Sequence, residues 1–333
     1  MESASFRGCR KMPVRCAAFV LLLGVLALPL SPRVARGATY PSKPLRFIVG
    51  PGPDVLARLI GQKLTEDWGQ QVVVDQRPGA GGIIAAQIAA TAPADGYTML
   101  LTTGSYTINA TLYKKRLHYN LLTDLAPVSL LATIPFVLVV NPNLPAHSVE
   151  DLIRLARAKP GKLNCASSGT GTTAHLGCEM LRNLAHIDIV HVPYKGLAPA
   201  IDDLLGGRVQ LLFAVAQAGL PYVRSGKLRG LAVSGPKRSP AIPELPTVAE
   251  AGVKGFAFES WNGVHVTAGT PKAVIDKLNA ALVKAVKEPD MRSRMLGLGL
   301  DPVGSSVRDF AAFVRADIAT WAKVIKASGV KVD

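Results

Sequence analysis

Short unbroken apolar runs take turns along the chain with stretches in which apolar residues recur every three or four positions, and this predicts strands and helices in alternation. Leu45 to Val49 reads as a buried strand that breaks at Gly50-Pro51-Gly52-Pro53. Asp54 then caps a helix whose stripe is Val55, Leu56, Leu59, Ile60 and Leu64. Val72 to Val74 is the next strand, followed by the glycine turn Asp75 to Gly82 and a small-residue helix through Ala90. Tyr97 to Leu101 is a third strand, with the hydroxyl-rich loop Thr102-Thr103-Gly104-Ser105-Tyr106 at its carboxyl end.

The same grammar continues to the end. Phe136 to Val140, Leu163 to Ser167, Ile189 to Val192, Val209 to Phe213 and Leu228 to Val233 read as strands, and another lies within Phe256 to Thr267. Between them, Ser148 with Asp151 opens a helix that stops at Pro160-Gly161, and Ala198 to Leu205 and Leu220 to Ser225 read as helices. Thr270-Pro271 starts a helix carrying Leu278, Leu282 and Val286. Ser306 with Asp309 opens the last one, which presents Phe310, Val314, Trp321 and Ile325 before Gly329. Such alternation predicts an α/β fold, and the length predicts two mainly parallel sheets with helices on both faces. Ligands of these sheets gather at the carboxyl ends of strands, where the glycine and hydroxyl loops lie.

The stretch Leu163 to Leu176 concentrates this chemistry. A strand runs into Ser168-Gly169-Thr170-Gly171-Thr172 and then a helix carrying Leu176, Met180, Leu181 and Leu184. Unpaired amides and hydroxyls there point at one spot beside a positive helix end, which suits an anion. The bland reading is also open: the glycines make the turn and Thr172 or Thr173 caps the helix.

Composition changes the picture at the start of the chain. Arg7, Arg10, Lys11 and Arg15 precede the apolar run Ala17 to Leu30 and the small-residue segment Ala35 to Ala38, the layout of a cleavable export signal. The run is too short to span a bilayer. Without residues 1–38 the net charge falls from +15 to +10. That balance favours anionic ligands, but the basic residues are scattered among few aromatics, so no nucleic-acid partner is expected. Cys165 and Cys178 remain after processing, either as two buried thiols or as a disulfide. With one in a strand and the other on the following helix, thiols are the expected state.

Enzyme signatures are absent. The chain has no phosphate-loop GK[ST], no G-x-S-x-G, no H-E-x-x-H and no C-x-x-C. Gly169-x-Gly171-x-x-Ala174 mimics a dinucleotide fingerprint, but the next strand runs into Pro193-Tyr194-Lys195 instead of an acid for the ribose. The six histidines lack metal-ligand spacing, so neither metal nor cofactor is expected.

From Tyr40 onward the chain resembles the substrate-binding proteins of tripartite tricarboxylate transporters, the Bug receptors. The resemblance rests on Tyr40 to Pro44, Gln76-Arg77-Pro78-Gly79-Ala80-Gly81-Gly82, Asp95-Gly96-Tyr97-Thr98 and Leu138 to Pro142. It continues through Ala166 to Thr172, Val192 to Gly196, Pro246 to Gly252, Ser260-Trp261 and Ala268 to Pro271. It implies a two-lobed fold like the type II periplasmic binding proteins, with crossovers near Val139 to Pro142 and near Ser260 to Gly263. The implied division is a signal peptide (1–38), lobe 1 (39–139), lobe 2 (140–260) and a return to lobe 1 (261–333).

The resemblance implies a periplasmic, monomeric receptor, not an enzyme, that closes on a small carboxylate and presents it to membrane transporter subunits; a sensory protein read by a partner is the alternative. Carried over by position, the ligand-binding candidates are Gly50, Pro51, Gly52 and Pro53; Thr103, Gly104, Ser105 and Tyr106; Ser168, Gly169, Thr170, Gly171, Thr172 and Thr173; and His175. Two departures stand out. The family's first loop reads V-P-F-P-P-G-G-G-T-D, four residues longer than Val49 to Asp54, and Ala214 stands where many relatives have aspartate.

Overall fold

The computed structural model describes residues 40–50 and 54–330, so the export segment and Pro51, Gly52 and Pro53 lie outside the described residues. The first part of the chain supplies β1 (Leu45–Val49), α1 (Val55–Trp68), β2 (Val72–Gln76), α2 (Ile83–Ala90), β3 (Thr98–Thr103), α3 (Gly104–Leu112) and β4 (Leu125–Ile134). β5 (Phe136–Val140), α4 (Val149–Ala158), β6 (Leu163–Ser167), α5 (Thr173–Ala185) and β7 (Ile189–Pro193) follow. Then come α6 (Leu197–Leu205), β8 (Leu211–Val215), α7 (Ala216–Arg224) and β9 (Arg229–Val233). The chain ends with β10 (Ser260–Thr267), α8 (Lys272–Lys287), α9 (Pro289–Gly297), β11 (Asp301–Pro302) and α10 (Val307–Ser328).

Two sheets result, in the orders β11-β4-β10-β3-β1-β2 and β7-β6-β8-β5-β9. β1 sits between parallel neighbours β2 and β3, and β6 between parallel β7 and β8. These strands are covered on both faces, which is why Leu45–Val49 is apolar at four of five positions rather than alternating. The sheets are mixed, however, instead of mainly parallel. The strands that change sheet enter from the opposite end: β5 runs antiparallel to β8 and β9, and β10 antiparallel to β3 and β4.

The first change of sheet falls at Pro135, between β4 and β5, earlier than the expected Val139 to Pro142. The return falls at Glu259, just ahead of the expected Ser260. Phe258 N–H still donates to Ser234 O beside the second sheet (2.9 Å), while Ser260 already pairs with Ile134 of the first. A third connection spans both units. Phe310 and Val314 near the start of the 22-residue α10 belong to the core of the first sheet, and Trp321 and Ile325 near its end belong to that of the second. Asp317, midway, accepts from Thr107 Oγ1 (2.6 Å) and Trp261 Nε1 (2.9 Å), tying α10 to α3 and β10.

Cys165 and Cys178 form a disulfide, correcting the expectation of two thiols. β6 and α5 pack back to back around the loop between them, bringing the two Cα atoms to 6.2 Å, within bridging range.

Candidate functional site

Each parallel strand hands over to its helix at the same edge of its sheet, and the two edges face each other across a cleft of about 870 Å³. First turns of five helices line it: Val55 and Leu56 of α1, Ser105 of α3, Thr173 and Ala174 of α5, Leu197 of α6, and Gln217 and Ala218 of α7. First-turn amides have no carbonyl one turn back, and each helix start carries about half a positive charge. No lining residue among those described has a charged side chain. The cleft is thus electropositive through backbone dipoles rather than through lysine or arginine.

The loop Ser168 to Thr172 is folded from beneath. Thr172 caps α5 by accepting from His175 N–H (3.4 Å), and its hydroxyl donates to Gly169 O (2.8 Å). Gly171 N–H donates to His175 Nδ1 (3.0 Å), so this ring nitrogen is unprotonated. Gly171 holds φ +77°, a left-handed conformation that a side chain would strain. Behind the loop, the His175 and His191 rings stack at 3.7 Å. Ser167 Oγ lies 2.6 Å from His191 Nε2. Burial, together with His191 and Arg182, pushes His175 down to about 4, and burial pushes His191 down to about 4. Two neutral rings can stack where two cations would repel.

Of the sequence candidates, Gly50, Thr103, Ser105, Ser168, Thr170, Gly171, Thr172 and Thr173 line the cleft together. Tyr106, Gly104, Gly169 and His175 do not. Helix geometry explains two of these. Tyr106 is one residue on from Ser105, about 100° round α3, and it is buried beneath Gly50 and Gly82. His175 is two residues on from Thr173, about 200° round α5, and faces inward. Gly104 lies against Trp261 and Ser260, and Gly169 turns its amide and carbonyl toward Ser167.

The family model described as tripartite tricarboxylate transporter family receptor matches residues 56–330. The chain belongs to that family. It is 37% identical over 300 residues to a UPF0065 protein from the tcbD-tcbE intergenic region of Pseudomonas sp. strain P51, covering 89% of each chain. Among solved structures, R. palustris Rpa4515 with adipate is 37% identical with TM-score 0.77, covering 88% of this chain and 99% of its own. MatC (Rpa3494) from Rhodopseudomonas palustris with bound malate is 30% identical with TM-score 0.71, covering 86% and 100%.

In this family member the cleft is also lined by residues that the sequence did not single out. Asn109 lines the cleft and donates to Gly81 O (2.9 Å), and Ser260 and Asn262 line it from the return strand. Gln217, Gly297, Leu298 and Leu300 line it too. A β-carbon on Gly299, φ +69°, would stand 3.1 Å from Gln217 N, so the two units approach closely there. Ala214 is fully buried, and Val215 is the β8 residue that faces the cleft.

Proposed function

We propose that the chain is a periplasmic receptor that captures a small organic carboxylate between its two sheet units and delivers it to membrane transporter subunits. The observation that carries this is the convergence of five helix starts on a cleft with no charged side chain among the described lining residues. An anion held by neutral donors is attracted strongly enough to bind, yet released without breaking an ion pair. Three or four hydrogen bonds to a charged group, each worth about 1.5–3 kcal/mol, reach the roughly 8 kcal/mol of micromolar affinity. Thr103, Ser105, Ser168, Thr170 and Thr173, with the first-turn amides of α3 and α5, are the proposed donors. The relatives solved with adipate and malate agree with an acid ligand.

Closure turns on Pro135 and Glu259, with α10 following as a brace, in the manner of hinge-closing receptors. The reading is of a binding protein that acts as a monomer and catalyses nothing. Ser167 and His191 have the spacing of a nucleophile and its base, but Ser167 is fully buried and bonded to both backbone groups of Gly169. The pair folds the loop. Isothermal titration of the exported protein against mono-, di- and tricarboxylates tests the proposal. Saturable heat with an acid and none with its amide is expected; a folded protein that takes up no carboxylate overturns it.

A further inference from the structure

Two acids stand directly behind the cleft wall where the chain returns to the first sheet. Ser260 lines the cleft and Glu259 precedes it; Leu300 lines it and Asp301 follows. Both acids converge on Thr133, whose hydroxyl donates to Glu259 and which is the register partner of Asp301 across β4 and β11. The second unit closes the other side. A β-carbon on Gly235 would collide with Glu259 Oε1, and Ser239 Oγ donates to Asp301 Oδ1 (3.1 Å). We propose that this acid pair makes capture proton-linked: the receptor takes up a proton with its anion, and binds the anion more weakly as the pair ionises. This rests on the carboxylate-receptor reading and adds a regulation to the same cleft.

No cation faces the pair among the described residues. The groups that act on Glu259 are Asp301 and Thr133, and on Asp301 the Ser239 hydroxyl. Of the bases flanking Gly235 and Ser239, Arg238 pairs with Glu250 (2.9 Å) and Lys237 is exposed to solvent. Two neighbouring carboxylates without a cation do not both ionise cheaply. Burial, reinforced by Asp301, pushes Glu259 up to about 7, and burial raises Asp301 against its hydrogen bond from Ser239. Both are half-buried, so the proton exchanges with solvent.

Other ionisable groups near the cleft keep their charge at neutral pH. Asp54, before the lining residue Val55, is held ionised by Arg58 (2.5 Å), and burial pushes His175 and His191 down to about 4. Asp317 accepts from Trp261 Nε1, one residue on from Ser260 and so on the opposite face of β10. A charge on Glu259 about 12 Å from the bound carboxylate, at an effective dielectric of 20, weakens binding by up to about tenfold. The coupling is reciprocal, so the bound anion raises Glu259 by about one pH unit. With Glu259 at about 7, about fivefold of that loss falls between pH 6 and 8, and capture at pH 7 takes up about 0.4 of a proton.

Titration calorimetry of the exported protein with benzoate, hexanoate and fumarate, which stay ionised between pH 6 and 8, tests this in two buffers of different protonation heat. The tightest-binding acid should lose about fivefold in affinity from pH 6 to 8, with proton uptake at pH 7. Glu259→Gln should abolish both the slope and the uptake. Asp301→Asn, which lifts the repulsion, should move the slope to lower pH. The exposed His118, His147 and His186 and the buried Asp317 remain in both variants, so a slope of theirs would persist. A flat affinity in the wild type, or an unchanged slope in folded Glu259→Gln, overturns the inference and leaves the receptor reading intact. If Glu259→Gln does not fold, a slope that Asp301→Asn leaves in place overturns it instead. No heat from any of the three acids at any pH overturns the receptor reading, and this inference with it.

Discussion

Removing the Cys165–Cys178 disulfide perturbs the cleft without touching its lining. The bridge joins the strand before the glycine-threonine loop to the helix after it, across a separation of 13 residues. Chain-entropy arguments give a closed loop of this length about 3 kcal/mol of stabilisation, by restricting the unfolded chain. At about 2–4 °C per kcal/mol for a chain of this size class, the melting temperature should fall by about 6–12 °C. Both sulfurs are buried, so the comparison needs no allowance for surface chemistry. Thermal unfolding followed by circular dichroism, for the oxidised protein and the Cys165→Ala/Cys178→Ala variant, measures the shift. A reduced wild-type sample separates loss of the bond from loss of side-chain volume. Ligand affinity should fall in both, because the Ser168 to Thr172 loop must then be ordered at the moment of binding. Equal melting temperatures for oxidised and reduced protein, or two titratable thiols in the exported native protein, would refute the reasoning.

Three other perturbations probe separate links. Tyr106→Phe removes a buried hydroxyl with no hydrogen-bond partner among the described residues, so stability should hold or rise by up to about 1 kcal/mol in denaturant titration; a clear loss would mean that the hydroxyl is bonded. Thr172→Ala deletes the α5 cap and should cost about 1 kcal/mol and weaken ligand binding, with Thr172→Ser restoring both; an Ala variant indistinguishable from wild type in melting and titration contradicts the loop account. Burial, reinforced by Asp301 and opposed by a hydrogen bond from Thr133, pushes Glu259 up to about 7 from an ordinary 4.5. The folded state then binds the proton more tightly, so this group's stabilisation is complete below about pH 4.5 and fades as pH rises through 7. Glu259→Gln should flatten that decline, and parallel melting curves between pH 5 and 8 for variant and wild type would exclude it.

The parts of the fold legible in the sequence are those written in strong local signals. Ser148 and Ser306 each accept from the amide three residues on, as their spacing to Asp151 and Asp309 foretold. The apolar runs of β1 and β5 mark strands buried on both faces. By contrast β4, ten residues long, carries Pro127 and no alternation. The sheet tolerates that proline because β11 pairs only with Ala132 and Thr133, leaving the Pro127 end of β4 on an open edge. α3 was hidden because Gly-Ser-Tyr-Thr at its start are poor helix formers and read as loop; the helix is held instead by packing against α10. Eight of the cleft's lining residues were legible because glycine, serine and threonine at strand ends announce turns. The rest, among them Gln217, Asn262, Leu298 and Leu300, are brought together only by the tertiary fold. The disulfide belongs to the same class, since spacing along the chain does not give the distance between Cα atoms.

The central claim is that backbone dipoles, unaided by cationic side chains, hold a single negative charge in the cleft. Ser105→Asp tests it most directly by setting a like charge in the first turn of α3, where an acid favours the helix. Two like charges about 5 Å apart at an effective dielectric of 20 repel by about 3 kcal/mol, about a hundredfold in affinity. Titration calorimetry with the tightest-binding acid should show that loss while the melting temperature is unchanged or higher. An affinity within a few-fold of wild type in the folded variant would contradict the account.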